Sequence, residues 1–133
     1  MTFGAGIILI NSNNEVLLLL RDDKPEIPYP NQWDIPGGRI EKGESPIETI
    51  RREMFEELGL QLYSDFQLFK IYKNDNLTDF IFWKRINLNP AEITLNEGQK
   101  LKYFNLEEIR KTELAFGYNQ VFEEFFMEVV KNE

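Results

Sequence analysis

From Phe3 to Ile10, and again from Glu15 to Leu20, the chain runs through β-branched and aliphatic residues, and the Asn11-Ser12-Asn13-Asn14 segment between them has turn composition. The pattern predicts two neighbouring strands joined as a hairpin. Polar residues then take over from Asp22 to Gln32, punctuated by Pro25, Pro28 and Pro30. Each proline fixes φ and removes a backbone donor, so this stretch reads as a surface loop. Trp33-Asp34-Ile35 follows as a short strand ending at Pro36-Gly37-Gly38. Further strands are expected over Phe66 to Lys73 and Asp79 to Asn87, around an Asn74-Asp75-Asn76 turn, and over Lys100 to Phe104.

Helical periodicity marks the other elements. Ser45-Pro46-Ile47-Glu48 has the form of a helix start, with Ser as N-cap, Pro at the first helical position and Glu three residues after the cap. Gly59 supplies the stop. Between them Ile47, Ile50, Met54 and Leu58 recur at helical spacing and define the expected core face. Asn105-Leu106-Glu107-Glu108 opens a brief helical turn, and Tyr118, Val121, Phe122, Phe125, Phe126 and Val129 give a terminal amphipathic helix. No internal repeat or Pro/Gly/Ser-rich linker divides the chain, so one domain over residues 1–133 and a mixed sheet with packed helices are expected.

Composition narrows the chemistry. The chain has 133 residues, with 15 Lys and Arg against 23 Asp and Glu, and neither cysteine nor histidine. Zinc sites built on Cys or His, thiol nucleophiles and Ser-His-Asp triads all need residue types that are missing. Catalysis would rest on carboxylates, Lys, Arg, Tyr, backbone groups or a hard metal ion. The net charge of -8 argues against binding to long nucleic acids, whose phosphates must be neutralised by many basic side chains. A small phosphate ligand is compatible with it. The apolar start lacks a basic n-region and cleavage site, and no apolar run has the length of a membrane span, so a cytoplasmic protein without membrane partners is expected.

The segment richest in chemistry is Arg51-Arg52-Glu53-Met54-Phe55-Glu56-Glu57-Leu58-Gly59. Residues three and four apart are neighbours on a helix, so Glu53, Glu56 and Glu57 share one side, at the edge of the core stripe. Like charges at this spacing repel, each pair costing about a few tenths of a kcal/mol, and a divalent cation removes the penalty. Mg²⁺ suits the position, since it takes hard oxygen ligands shared between carboxylates and substrate phosphates.

The wider spacing is Gly38, five residues, Glu44, seven residues, Arg52-Glu53, Met54, Glu56-Glu57, Gly59 and Leu60. At every defining position this resembles the Nudix box, and a chance match in a chain of this size is on the order of one in a million. Trp33 to Gly38 is similar to the family's usual lead-in, and Tyr103 to Ile109 to its later aromatic segment. The resemblance implies an α/β/α sandwich with a mixed sheet. It also implies metal-dependent cleavage of a pyrophosphate bond in a nucleoside diphosphate linked to a further group X, with Mg²⁺ or Mn²⁺ as cofactor. A nucleoside triphosphate, including an oxidised one, or a nucleoside diphosphate sugar is the expected small substrate, and a monomer or homodimer the expected state. By position, Glu53, Glu56, Glu57 and the Gly37 carbonyl are implied as metal ligands. Arg52 is implied as the partner that fixes the carboxylate rotamers, where a planar guanidinium suits bidentate pairing. Gly38 and Glu44 support the site. Glu97 resembles a further metal-binding or water-activating Glu of MutT-type members. Arg21, Tyr29, Asp34, Phe80 and Asn119 are the candidate substrate contacts, with Lys24 near phosphates and Trp33, Phe82, Phe116 and Tyr118 as possible pocket walls. The alternative is a Nudix-like sensor that binds nucleotide without turnover.

Overall fold

The computed structural model describes residues 1–133. Its sheet is built around β1 (Thr2–Ile10), which pairs antiparallel with β2 (Val16–Leu20) and parallel with β6 (Leu77–Arg85). Three short or peripheral strands complete one side: β3 (Trp33–Asp34) and β7 (Lys100–Phe104) pair with β2, while β4 (Gly37–Arg39) pairs with β1. On the other side β5 (Gln67–Lys73) is the edge strand, antiparallel to β6. The sheet is therefore mixed. The turn between β5 and β6 is closed by Asn74, whose side-chain oxygen accepts from the N–H groups of Asn76 and Leu77. Consequently β6 begins at Leu77, two residues before the expected start, and ends at Arg85 rather than Asn87.

Period-two alternation splits β1 between two cores. Ala5, Ile7 and Leu9 face α1 (Pro46–Leu58), meeting its Ile50, Met54 and Leu58. Ile8 and Ile10 face the opposite way, toward α2 (Leu106–Arg110) and α3 (Asn119–Phe125), which supply Ile109, Val121, Phe122 and Phe125. Helices thus cover both faces of the sheet, giving the α/β/α sandwich. Burying each large aliphatic or aromatic side chain in these cores stabilises by roughly 1.5–3 kcal/mol.

Local signals set the helix limits. In α1 the Ser45 side chain accepts from the Glu48 N–H while Glu48 accepts from the Ser45 N–H, and Gly59 ends the helix in a left-handed conformation at φ 65°. One expectation fails here: Ile47 is 41% exposed. Residues of the first turn are held by the cap rather than by packing, so the core stripe of α1 starts only at Ile50. The terminal helix also differs from its expected course. Tyr118 precedes α3, and after Phe125 the chain widens into a π turn over Phe126–Val130, leaving Phe126 and Val129 at the rim of the core. No helix is long and apolar enough to cross a membrane.

Candidate active site

Glu53, Glu57 and Glu97 each offer a carboxylate oxygen, and these oxygens lie within 4.8 Å of one another. Helix geometry accounts for the two on α1. At about 100° per residue, Glu57 lies about 60° from the centre of the Ile50-Met54-Leu58 stripe, Glu53 about 100° and Glu56 about 160°. Burial follows that order: Glu57 is 5% exposed, while the side chains of Glu53 and Glu56 are 13% and 58% exposed. Glu56 therefore stands on the solvent side of the triplet, where it accepts a hydrogen bond from Arg52 at 3.3 Å.

Glu97 reaches the triplet because its loop is tied to the end of α1. The Asn96 backbone N–H donates to the Glu57 carbonyl at 3.1 Å, and the Asn96 side-chain amide donates to the Glu56 carbonyl. These are helix-terminal carbonyls with no partner inside the helix. Gly98 then turns at φ +83°, against Leu19, where a Cβ would come within 2.6 Å of the leucine Cδ1. On the opposite wall Gly38 makes room for Glu53: a Cβ there would lie 2.4 Å from the Glu53 carboxyl carbon.

The triplet is electrostatically incomplete. Burial, followed by the hydrogen bond and charge of Glu53 and then the charge of Glu97, pushes the Glu57 carboxyl well above the ordinary carboxylate range. Its Oε2 is sealed from solvent without a hydrogen-bond partner. Arg52 does not relieve it. That guanidinium grips Glu44 from Nε at 2.6 Å and Nη2 at 3.0 Å, Glu53 from Nη1 at 2.8 Å, and the Arg39 carbonyl at 3.2 Å. Glu44 stays outside the triplet. It instead joins loop to helix, accepting from the Thr49 hydroxyl and the Glu41 N–H, and its Arg52 partner holds its carboxyl down at about 2.

The acidic triplet lines a cavity of about 320 Å³ with Arg21, Asp34, Gly37, Gly38 and Arg39. A second cavity of about 350 Å³ shares those five residues and continues over Gly4, Gly6, Asp79, Phe116 and Tyr118. Gly4 and Gly6 point to the same face of β1 as Ile8 and Ile10; where the aliphatic stripe gives way to glycine, the core gives way to a cavity. Arg21 donates to Asp34 at 2.8 Å and lies 5.3 Å from the Phe116 ring centroid. Burial nevertheless lifts the Asp34 carboxyl to about 6, against the lowering effect of Arg21.

Several expected substrate contacts lie elsewhere. Phe80 faces the α1 core, because alternation on β6 sends Asp79 and Phe80 to opposite faces. Asn119 is a structural clasp: its amide donates to the carbonyls of Ile109 and Thr112, and its oxygen accepts from the Leu114 N–H. Tyr29 does not line the second cavity but backs it through Phe116, with ring centroids 4.5 Å apart. Trp33 packs on Phe104, Phe82 is buried, and Lys24 lies 3.8 Å from Asp22. Arg21, Asp34, Phe116 and Tyr118 do line the cavity. Arg39 and Asp79 are the residues that sequence reasoning missed.

An acidic triplet thus lies beside a Gly-rich turn and opens into a partly aromatic cavity on an α/β/α sandwich, and its oxygens form a candidate site for a hard cation. The family model for the NUDIX domain matches residues 2–125, and the chain belongs to the Nudix family. It is 33% identical over 78 residues to the 8-oxo-dGTP diphosphatase of Escherichia coli (strain K12), a match covering 57% of this chain and 59% of that protein. It is 43% identical over 56 residues to the RNA pyrophosphohydrolase of Rhodospirillum rubrum, covering 42% of this chain and 31% of that protein. Among these and other curated relatives, the matched part spans between 19% and 59% of the relative's own length. The crystal structure of the MutT protein from Methanosarcina mazei Go1 shares the fold at TM-score 0.77 and 23% identity, covering 96% of this chain and 94% of that one.

Proposed function

We propose that this chain is a divalent-metal-dependent hydrolase that cleaves a phosphate anhydride bond in a nucleoside diphosphate linked to a further group X. The observation that carries this reading is the buried, unpartnered Oε2 of Glu57 inside a carboxylate triplet. A helix gains nothing from such an arrangement by itself, whereas a hard cation satisfies it. Glu53, Glu57 and Glu97 would hold the ion with the Gly37 carbonyl, and Glu56 and Arg52 would border it. Mg²⁺, or Mn²⁺ in its place, supplies charge neutralisation at phosphate oxygens and a more acidic water.

The remaining work belongs to the chain. Arg39 lines both cavities and so stands where a phosphate chain would pass from one to the other. Arg52 clamps the Glu53 rotamer, and Gly38 leaves space for it. With histidine absent, a carboxylate of this group is the general base the chain has to offer. The aromatic wall of the second cavity suits a nucleoside. The activities named for the Escherichia coli and Rhodospirillum rubrum relatives support the anhydride chemistry. The net charge favours a free nucleotide over an RNA chain.

The test is a phosphate-release screen across nucleoside triphosphates, nucleoside diphosphate sugars and dinucleoside polyphosphates, each with Mg²⁺ and with Mn²⁺. Metal-dependent release from at least one class is expected. Binding without release from any class would overturn the enzymatic reading in favour of a nucleotide sensor.

A further inference from the structure

The segment from Asn96 to Gln99, with Glu97 inside it, runs from the end of α1 to the base of the Pro-rich loop over residues 22–32. At one end Asn96 is held by the Glu56 and Glu57 carbonyls. At the other, the Gln99 backbone N–H donates to the Leu20 carbonyl at 2.8 Å, and both N–H donors of its side-chain amide are taken. One reaches the Arg21 carbonyl at 2.7 Å and the other the Asn31 side-chain oxygen at 2.9 Å. Asn31 closes the loop, in a left-handed conformation at φ 58° with its own N–H on the Asp22 carbonyl. One amide thus joins the end of β2, the far end of the loop and the Glu97 segment.

The wall of the second cavity hangs from that junction. Inside the loop the Pro28 carbonyl accepts from Arg21 Nε at 2.9 Å, and Tyr29 packs on Phe116. Arg21 in turn lines both cavities. Gln99 and Asn31 are exposed, where water replaces a lost hydrogen bond, so the bridge adds little to stability. Its effect is on placement. Glu97 is separated from Gln99 only by Gly98, which is pressed against Leu19 with no room for a Cβ, so the junction and the carboxylate move together.

We propose that Gln99 is a positioning residue whose side-chain amide locks Glu97 of the carboxylate triplet to the loop that carries Pro28 and Tyr29, coupling the order of the one to the order of the other. A cation that fixes Glu97 then also quiets the loop beyond the bridge, and by reciprocity an ordered loop tightens the hold on the cation. Asn31 takes part as the acceptor at the far end, although it is bonded to none of the three carboxylates.

The inference rests on the metal reading above, so its test uses Mn²⁺ alone, without nucleotide or turnover: the dissociation constant from the paramagnetic resonance of the free ion, and amide hydrogen exchange across residues 22–32. Gln99→Leu is similar in size and donates nothing, and it should weaken Mn²⁺ binding about threefold to tenfold. Asn31→Gly keeps the left-handed backbone but removes the acceptor, and should weaken binding in the same direction. The double variant should lose no more than Gln99→Leu alone, since both changes break one bridge. Asn31→Asp keeps the acceptor and should retain the affinity. In the unaltered chain Mn²⁺ should slow exchange in the loop, and in Gln99→Leu it should not; a merely structural loss would instead raise exchange equally with and without metal. Melting curves establish which variants fold, and if Gln99→Leu does not, Asn31→Gly decides. Unchanged Mn²⁺ affinity in the decisive variant, additive losses in the double variant, or loop exchange that Mn²⁺ does not slow in the unaltered chain would overturn the assignment and leave the metal reading intact. An unaltered chain that binds no Mn²⁺ would overturn both.

Discussion

Glu44 and Glu57 begin as the same side chain at the two ends of one helix and finish in opposite states. Glu44 has two bonds from Arg52, one from Thr49 and one from a backbone N–H, and its carboxyl is held down at about 2. Glu57 is more deeply buried, lacks a cation, faces Glu53 and Glu97, and leaves an oxygen without a partner. The fold completes the first carboxylate with its own residues. It leaves the second with an oxygen that no residue of the chain satisfies. Such a difference separates a carboxylate that supports the site from one that constitutes it.

The comparison can be broken most sharply at Glu57. Glu57→Gln should lower metal-dependent hydrolysis by at least about a hundredfold, since even residues that merely support metal ligands commonly contribute 10–100-fold; single-turnover phosphate release measures it. Next, Gly38→Ala places a Cβ against the Glu53 carboxylate and should lower activity by about 10–100-fold, with a much smaller change in melting temperature. Steady-state kinetics alongside thermal melts separate the two effects.

At the other pole, Glu44→Gln should lower the melting temperature in EDTA, in contrast to Glu57→Gln. The pH dependence has a definite sign. Arg52 depresses the Glu44 carboxyl from its ordinary 4.5 to about 2, so this pair's stabilisation is fully present above about 4.5 and fades as pH falls toward 2. Urea titrations between those limits should show a shallower acid loss in Arg52→Ala than in the unaltered chain.

The smallest effect concerns Asp34. Its carboxyl is raised from 3.8 to about 6, so the folded chain holds the proton more tightly than the unfolded one. Its contribution to stability accordingly falls as pH rises through 4 to 6 and is at its least above 6. Asp34→Asn should flatten that limb, to be read from melting temperatures across the same interval.

Parts of this arrangement were legible in the residues alone. The Ser45-Glu48 capping box, Gly59 and the spacing from Gly38 to Leu60 fix where α1 starts, stops and carries its charge, because caps and helical period act locally. The inequality among Glu53, Glu56 and Glu57 was also available, from their angles to the core stripe. Other features depend on which strands become neighbours. Nothing near Asp79 in sequence announces that it will stand opposite Gly4, and only strand alternation reveals that Phe80, an expected substrate contact, belongs to the α1 core. Asn119, an expected substrate contact, instead closes the loop before α3 with its amide. The glycines at positions 4 and 6, spaced two apart in an otherwise aliphatic strand, were the overlooked signal for a cavity.

The central claim is that Glu57 is incomplete without a cation, and thermal melting with and without Mg²⁺ tests it directly. The unaltered chain should melt higher in Mg²⁺ than in EDTA, by an amount that grows with metal concentration and corresponds to about 2.7 kcal/mol at a hundred times the dissociation constant. Glu57→Gln should melt no lower than the unaltered chain in EDTA, and Mg²⁺ should leave it unmoved. A variant that melts clearly lower in EDTA, or that gains as much from Mg²⁺ as the unaltered chain, would contradict the account.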